Sequence, residues 1–299
     1  MNVIRYRKIF YAFSALLFTA SIAVFAVWGL KPGIDFTGGS LIEVEFAGSR
    51  PSVGDLSAPL SSLDLGEFRL QPIGERGLLI RIRHLSEGEH QLALAALDAV
   101  AGDTTEKRFD SIGPTIAREL ARKSISAIAL VILLVVSYIA WAFRKVSKPV
   151  ASWKYGIATV VALAHDVAIP TGFFVLAGRF AGYEADTLFV TALLTILGFS
   201  VHDTIVVFDR IRENLKKSSG NADFEALVGQ SISQTFVRSI NTSLTVILAL
   251  AAVYFFGGAT TKTFSLTLLI GIVAGTYSSI FIASPLLVTW HRWQKRYST

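Results

Sequence analysis

Two ionisable residues, His202 and Asp203, stand inside the otherwise apolar segment LFVTALLTILGFSVHDTIVVFDRIREN, which runs from residue 188 to residue 214. A charged group within a membrane-spanning helix costs roughly 3 kcal/mol on insertion scales, so such groups generally mark an ion path or a buried partner. A carboxylate in this position can bind and release a proton. Asp203 is therefore the first candidate for a functional residue.

A cation for this carboxylate is available at the start of the next apolar segment, where Arg238, Asn241, Thr242 and Thr245 share one helical face. A buried carboxylate persists either by taking up a proton or by pairing with a cation. We therefore predict that Asp203 pairs with Arg238, so that protonation of the carboxylate breaks the pair and moves a helix. A static salt bridge that only fixes the packing is an equally good interpretation of the spacing.

A second carboxylate, Asp166, shares a helical face with Thr159 and Pro170 in the third apolar segment. It could join a proton relay, although the pattern slightly favours a hydrogen bond between helices beside the kink that Pro170 imposes. The neighbouring His165 could bind a metal together with His202, but no carboxylate and histidine set at ligand spacing accompanies them. We expect no metal, and no cofactor other than the proton as coupling ion.

Enzymatic chemistry is poorly supported by the sequence. Cysteine is absent, which excludes thiolate catalysis, disulfides and cysteine metal sites. Ser200 and His202 point about 200° apart on a helix, and the second glycine of a nucleophile elbow is missing. The pair Gly38 and Gly39 lacks the spacing and the lysine of a phosphate-binding loop. We expect a protein that is not an enzyme.

The elements that position these residues are membrane helices, because 52% of the residues are hydrophobic and only 17% are charged. Apolar runs of membrane-spanning length occur at 9–30, 124–143, 155–176, 188–208, 239–256 and 264–290. The first is predicted to be an uncleaved anchor, which gives a first membrane helix at 1–30 and a five-helix membrane domain at 124–299. Two stripes follow helical spacing. Thr191, Thr195, Gly198, His202 and Asp209 should face protein or water, and Gly271, Gly275, Ser279 and Ala283 should allow close helix packing.

Orientation follows from the basic residues, which cluster at the N-terminus, in alternate loops and at the C-terminus: Arg5, Arg7, Lys8; Arg144, Lys145, Lys148, Lys154; Arg210, Arg212, Lys216, Lys217; Arg292, Lys295, Arg296. The other short loops hold only Arg179 and Lys262. The positive-inside rule therefore predicts that both termini are cytoplasmic. This placement also explains the net positive charge without nucleic acid as a partner.

Residues 31–123 form the one long connection and are predicted to be an extracytoplasmic α+β domain. The predicted order is βαββαβ, a ferredoxin-like sandwich, with strands near 41–46, 67–73, 78–84 and 104–112 and helices near 52–63 and 86–100. Leu92, Ala96 and Ala99 recur at helical spacing in the second helix. A short amphipathic helix at 115–123 should follow, and residues 209–238 should form a cytoplasmic amphipathic hairpin with an apolar stripe of Phe224, Leu227, Val228 and Ile232.

Several motifs together carry a family resemblance: GIDFTGG at 33–39, GPT at 113–115, AHD at 164–166, the segment 198–214, and RSINTS at 238–243. With these motifs the chain resembles, over nearly its whole length, the SecF subunits of the SecD/SecF family, which is related to the resistance-nodulation-division transporters. Members are accessory subunits of bacterial protein secretion.

The resemblance implies a subunit of the bacterial inner membrane that pairs with SecD, docks on the SecYEG channel and lets proton flow drive the late translocation of an unfolded preprotein. It implies YajC and YidC as further candidate partners, and ATP use by the separate motor SecA. It places the essential carboxylate of the family at Asp203, its arginine at Arg238 and its threonine at Thr242. The residue before the aspartate is commonly asparagine in the family, and His202 replaces it here. We interpret His202 as a substitute for that amide rather than as a member of the relay.

Two other functions fit parts of the sequence. The chain could be half of a proton-driven exporter of lipids or small molecules, or a structural subunit of a channel that conducts nothing. Exporters of that kind typically carry two large outer loops and twelve spans, whereas this chain has one modest outer domain and six spans. The comparison favours the protein-secretion interpretation.

Overall fold

The structure is a computed structural model that describes residues 3–144, 150–218 and 223–297. The chain divides into a helical unit, Met1–Lys31 with Ser126–Thr299, and a sheet unit, Pro32–Ile125. In chain order the elements are α1 (Arg7–Trp28), α2 (Ile34–Thr37), β1 (Gly39–Phe46), α3 (Val53–Ser61), β2 (Phe68–Ile73), β3 (Gly77–Ile82), α4 (Glu87–Ala101), β4 (Thr104–Ile112), α5 (Pro114–Ala142), α6 (Ser152–Phe180), α7 (Thr187–Lys217), α8 (Phe224–Phe256), α9 (Ala259–Ser278), a π-helical turn (Ser279–Ala283) and α10 (Ser284–Tyr297).

Six helical segments are long and apolar enough to cross a membrane: α1, α5, α6, α7, α8 and the continuous stretch Thr261–Arg296. Each of the six predicted segments falls on one of them, which confirms the six long apolar helices and is consistent with a helical membrane protein. The interior consists of α6, α7 and the last span, because 44%, 50% and 67% of their most apolar windows are buried inside the chain, against 6% to 11% for the other three. The candidate carboxylates Asp166 and Asp203 therefore lie on α6 and α7, two of the three helices that form the interior.

Two predicted segments differ in the structure. The short helix predicted at 115–123, with Pro114 at its first position, is the first part of α5, which runs on into the second span without a break because no glycine or proline follows Pro114 in this helix. The predicted hairpin at 209–238 consists of the ends of α7 and α8, which run on from the spans without a break. Residues 219–222 of that hairpin, and Lys145 and Lys148 of the basic clusters, lie outside the described residues.

The hairpin packs through the apolar stripe that the sequence predicts. Phe224, Leu227, Val228 and Ile232 are all buried in the main core of the helical unit. Polar bonds also join the two helices: Asn214 Nδ2 donates to Ser231 Oγ (2.8 Å) and Arg210 Nε donates to Gln234 Oε1 (2.7 Å). The ends of α7 and α8 are thus held together beyond the apolar spans.

The sheet unit contains a four-stranded antiparallel sheet with strand order β2-β3-β1-β4. The elements follow the βαββαβ order that the sequence predicts. Alternation along β1 and β3 buries one side of the sheet against α3 and α4, with a core that includes Ile42, Val44, Leu56, Leu60, Leu78, Ile80 and Leu97. The helix predicted at 86–100 is α4, but the three residues at helical spacing do not mark its buried face. His90, Ala93 and Leu97 are buried, while Leu92 is 56% exposed. Leucine and alanine occur on more than one side of this helix, so the sequence alone does not define the buried side.

The start of α4 makes the stability of the sheet unit sensitive to acid. Glu89 Oε2 accepts from the backbone nitrogen of Ser86 (2.8 Å), and Arg83 donates to Glu89 Oε1 (2.5 Å). The bond from Arg83, followed by those from Ser86, lowers the pKa of Glu89 from 4.5 to about 2. Since the folded pKa is the lower one, this stabilisation is complete above pH 4.5 and is lost as the pH falls towards 2. The protection factors of the α4 amides in the full chain, which are exchange rates corrected for the pH dependence of intrinsic exchange, should fall over that range. In Glu89→Gln the acid-dependent part should disappear, whereas the exposed Glu67→Gln should keep it.

Gly39 begins β1 with a φ of +131°, and a Cβ at this position would lie 2.8 Å from the carbonyl oxygen of Ile82 on the neighbouring strand. Only glycine adopts this backbone without strain. Gly39→Ala should therefore destabilise the sheet unit by roughly 1–3 kcal/mol, measured as faster hydrogen exchange of β1 and β3. Gly48→Ala is the matched control, because an added Cβ there meets no atom within 4 Å. Equal effects of the two substitutions would contradict the argument.

Candidate functional site

Asp203 is buried in the middle of α7, where its two carboxylate oxygens have different surroundings. Oδ1 accepts a hydrogen bond from Ser239 Oγ of α8 at 2.6 Å. Oδ2 is also buried but has no hydrogen-bond partner among the described residues. An unsatisfied buried carboxylate oxygen is costly, so this atom is where a proton or an approaching donor would stabilise the site most.

Arg238 does not pair with Asp203 in this structure. The ion pairs of the described residues do not include the two, and the side chain of Arg238 is exposed. The reason is the rotation of α8: Ser239 faces Asp203, and the preceding residue points about 100° away. The predicted ion pair is therefore not formed here. Arg238 directly precedes Ser239, the residue that donates a hydrogen bond to Asp203. Its role in a relay stays a prediction.

The polar residues that the sequence singles out on α7 and α8 lie on the outside of this chain. We define the polar stripe as these nine residues, all of them exposed: Thr191, Thr195, Gly198, His202, Asp209, Arg238, Asn241, Thr242 and Thr245. Hydroxyls of three threonines donate to carbonyls one turn earlier, which satisfies them locally. Asp209 pairs with Arg212 of its own helix at 2.9 Å. Among the described residues, the side chains of Arg238 and Asn241 make no hydrogen bond or ion pair, so in hydrocarbon this part of the stripe requires water or a protein partner.

Asp166 on α6 is the other buried carboxylate, and unlike Asp203 it is fully hydrogen-bonded. Its Oδ2 accepts from Ser200 Oγ of α7 (2.5 Å) and from Ser278 Oγ of α9 (2.7 Å). Its Oδ1 lies 2.9 Å from Nδ1 of His165. Asp166 thus joins three helices, which is the interhelical bonding that the pattern slightly favoured.

Serine and threonine hydroxyls continue this polar interior between the helices. Ser279 Oγ and Thr204 Oγ1 lie 2.8 Å apart, and Ser243 Oγ and Thr276 Oγ1 lie 2.5 Å apart. The last span changes to a π-helical turn at Ser279–Ala283, a feature that often occurs at functional sites. These hydroxyl contacts join α7 to the π-helical turn and α8 to α9.

The stripe of small residues in the last span packs against α7, as the sequence predicts. A Cβ added at Gly271 would lie 2.1 Å from Cδ1 of Ile196, and one added at Gly275 would lie 3.0 Å from Cβ of Ser200. Glycine at both positions therefore lets α9 approach α7 closely. This close approach brings Ser278 within reach of Asp166.

The two histidines occupy different environments. His165 is buried, and its Nε2 has no hydrogen-bond partner among the described residues, whereas His202 is exposed in the polar stripe. Within the described part of the chain, no group of three or more metal-ligating side chains comes together. Asp203 and His202 are consecutive but face different sides of α7. His202 is thus placed where a partner or water would reach it.

The serines that bond to the carboxylates, Ser239 and Ser278, were not identified by sequence reasoning, and Ser200 was considered only as a nucleophile. Serine is common in membrane helices and carries no charge, so it gives little signal. The usable signals were indirect: Ser278 precedes one member of the small-residue stripe, and Ser239 follows Arg238.

Comparison with known proteins identifies the family. Residues 93–293 match the family described as "Protein export membrane protein SecD/SecF, C-terminal", and residues 24–49 match the "SecD/SecF GG Motif". Protein translocase subunit SecF of Thermobaculum terrenum is 45% identical over 97% of this chain and 94% of its own length. The SecF of Anaerolinea thermophila is 40% identical over 99% of this chain and 97% of its own length.

The crystal structure of SecDF from Thermus thermophilus, a translocon-associated membrane protein, is similar in fold as well as sequence. It matches 98% of this chain with 33% identity and a TM-score of 0.83, and the match covers 39% of the SecDF chain. Protein translocase subunit SecDF of Brucella abortus is 33% identical over 92% of this chain and 35% of its own length. The motifs, the six helices and these similarities agree, and the chain belongs to the SecF subunits of the SecD/SecF family of protein-export membrane proteins.

Proposed function

We propose that this chain acts with SecD to couple the proton motive force to preprotein translocation through SecYEG across the bacterial cytoplasmic membrane. The observation that carries the proposal is Asp203, a buried carboxylate in a membrane helix with one oxygen unpartnered and one bonded to the neighbouring helix. A buried carboxylate of this kind is stabilised either by binding a proton or by pairing with a cation. Protonation and ion pairing exclude each other, because a protonated carboxyl group carries no charge. The family membership supplies the process to which the proton would be coupled.

The arrangement of α8 suggests how protonation would become movement. Ser239 faces Asp203, and Arg238 precedes it by about 100° of helix rotation. A deprotonated Asp203 would draw the Arg238 side chain towards Oδ2, by rotation of α8 or by a change of rotamer. A protonated Asp203 would release it and keep the bond to Ser239. In this relay Thr242, one turn beyond Arg238, would contact the moving Arg238 side chain. Asp166 is proposed as the secondary proton site. His202 is proposed to contribute only weakly to proton transfer.

SecD is the proposed cover for the polar stripe. The stripe exposes charged and amide side chains on two membrane helices, including Arg238 and Asn241, and a partner of the same membrane family could satisfy them. Relatives named SecDF support the pairing, since they carry a region similar to this chain within a longer polypeptide. A preprotein in transit, the channel SecYEG, and indirectly YajC, YidC and the ATP-driven motor SecA complete the proposed set of partners.

We further propose that both termini are cytoplasmic and that Pro32–Ile125 is a periplasmic or otherwise extracytoplasmic domain. The basic residues of the N-terminus and of the α7–α8 hairpin support this orientation. The sheet order and element order of the domain fit a ferredoxin-like sandwich. The chain would perform no covalent chemistry and need no cofactor, since the proton is the only species that the site must bind.

The proposal is tested by reconstituting the chain with its SecD partner and SecYEG in proteoliposomes and measuring preprotein translocation with and without a proton gradient. We expect stimulation by the gradient only when both subunits are present. Stimulation that is equal without this chain would refute the proposal. Stabilisation of SecYEG without any gradient dependence would identify a structural subunit instead, and gradient-driven efflux of a lipid or small molecule would identify an exporter.

A further inference from the structure

An open cavity of about 400 Å³ lies between α1, α5, α6 and α7 within the helical unit. One wall is the face of α6 from Val160 to Thr171, which recurs at helical spacing. Phe18 and Phe25 of α1 and Ile132 of α5 form the opposite walls. The cavity is separate from the polar interior around Asp203 and Asp166, whose side chains do not line it.

The lining admits only hydrocarbon. Ser21 and Thr171 are the hydroxyl residues among the side chains that line the cavity, and the rest are apolar. Thr171 Oγ1 already donates to the carbonyl of Val167 at 2.7 Å, so it needs no ligand. Water does not fill an apolar cavity of this kind, and leaving it empty would cost the lining its van der Waals contacts. Because the walls are membrane spans, the available filler is lipid.

The cavity runs deep into the hydrocarbon. Its α6 wall extends from Val160 to Thr171, about 16 Å along the helix axis, and Thr171 itself lies nine residues, about 14 Å, from the end of α6 at Phe180. On α1 the lining ends at Phe25, three residues before Trp28. The cavity therefore begins within one turn of the end of α1 and extends past the middle of a hydrocarbon core of about 30 Å, a path that one extended acyl chain can follow.

The end of the cavity that would meet the lipid headgroup is basic and aromatic. Trp28 and Phe180 end α1 and α6 with ring centroids 6.2 Å apart, a pairing typical of the membrane interface. Lys31 and Arg179 are exposed on the adjoining residues. The two segments are neighbours, because a Cβ added at Gly178 would lie 3.9 Å from Cβ of Lys31. Two cations beside an aromatic pair complement a phosphate.

We propose that this cavity is a phospholipid site that holds one acyl chain between α1, α5, α6 and α7 and places the headgroup phosphate at Lys31 and Arg179. Neither the translocation function nor the proton site requires it. The site would fill the space that separates α5 from α1.

The test uses the full chain in nanodiscs that contain phosphatidylglycerol or phosphatidylethanolamine with a photoreactive diazirine in one acyl chain. Labelled peptides are mapped by mass spectrometry. We expect labelling concentrated on the cavity residues of α1, α5 and α6, in clear excess over the exposed apolar face of α8. Ala164→Phe and Ala168→Phe, which fill the cavity, should lose this labelling. Ala129→Phe, an exposed alanine of α5 that does not line the cavity, should keep it.

A second arm distinguishes the source of the acyl chain. Lys31→Gln combined with Arg179→Gln should reduce labelling by the phospholipid probes but not by a photoreactive fatty alcohol, which lacks a phosphate. Uniform labelling of all exposed helix faces in the wild type would overturn the proposal without any variant, whether or not the variants fold. Equal labelling by both probes in wild type and double variant would show that hydrocarbon enters without headgroup recognition, which also overturns it. Cross-links to a co-purified polypeptide in place of lipid would assign the cavity to a protein partner.

Discussion

Asp203→Asn is expected to abolish the part of preprotein translocation that depends on the proton gradient, while the part driven without a gradient stays at the wild-type level. Asparagine has nearly the same shape, and its amide oxygen can still accept the bond from Ser239. It cannot bind or release a proton, so Arg238 would no longer be drawn and released in turn. The assay is the reconstituted translocation reaction with SecD and SecYEG, run with the gradient and after its collapse by an ionophore.

A matched control lies about three turns along the same helix and outside the polar stripe. Glu213 pairs with Lys217 at 2.7 Å, within its own helix. Glu213→Gln makes the same change of carboxylate to amide without touching a buried oxygen, and an exposed pair contributes only about 0–1 kcal/mol. We expect it to retain gradient stimulation. Stimulation that persists in Asp203→Asn, or that is lost equally in both variants, would show that the unpartnered oxygen of Asp203 is not the proton site.

Much of the architecture could be predicted because it depends on length and alternation. A run of about 20 apolar residues has few structures open to it other than a membrane helix. The strands of the sheet unit alternate between a buried and an exposed side, and β4 begins and ends at the predicted residues 104 and 112. The inner face of α4 could not be read in this way, since alanine is compatible with either side of a helix.

The neighbours of the carboxylates could not be predicted because they depend on helix rotation. A rotation of about 100° exchanges Arg238 for Ser239 opposite Asp203, and the packing of α8 and α9 decides it. Charge patterns favoured Arg238, whereas the structure uses small hydroxyl residues inside the chain and leaves the polar stripe outside. The strongest polar pattern in the sequence therefore lies on the outside of this chain, and the weakest one, serine among alanine and glycine, lies in the interior.

Asp166→Ala is expected to cause a large loss of stability in the helical unit. The carboxylate accepts from Ser200 and from Ser278 on two neighbouring helices, and its Oδ1 lies 2.9 Å from Nδ1 of His165. Alanine removes this acceptor, and the Ser278 hydroxyl keeps only the carbonyl of Gly275 within its own helix. Hydrogen bonds between membrane helices average about 0.6 and reach about 1.7 kcal/mol each, so the two interhelical bonds should account for roughly 1–3 kcal/mol. The measurement is the unfolding free energy of the full chain in bicelles, titrated with sodium dodecyl sulfate.

The bonding role of Asp166 can be separated from a proton-carrying role by a double-mutant cycle. Ser278→Ala should be costly in the wild type, but nearly without effect once Asp166 is alanine, because its hydroxyl then has no acceptor on α6 to lose. Additive losses would show that the bond between α6 and α9 does not stabilise the bundle. Thr245→Ala, which removes only a bond within α8, should change stability by less than about 0.5 kcal/mol. Asp166→Asn completes the comparison: it keeps the volume and one acceptor oxygen, so gradient-dependent translocation that survives in this variant but not in Asp203→Asn would assign proton transfer to α7 and helix packing to α6.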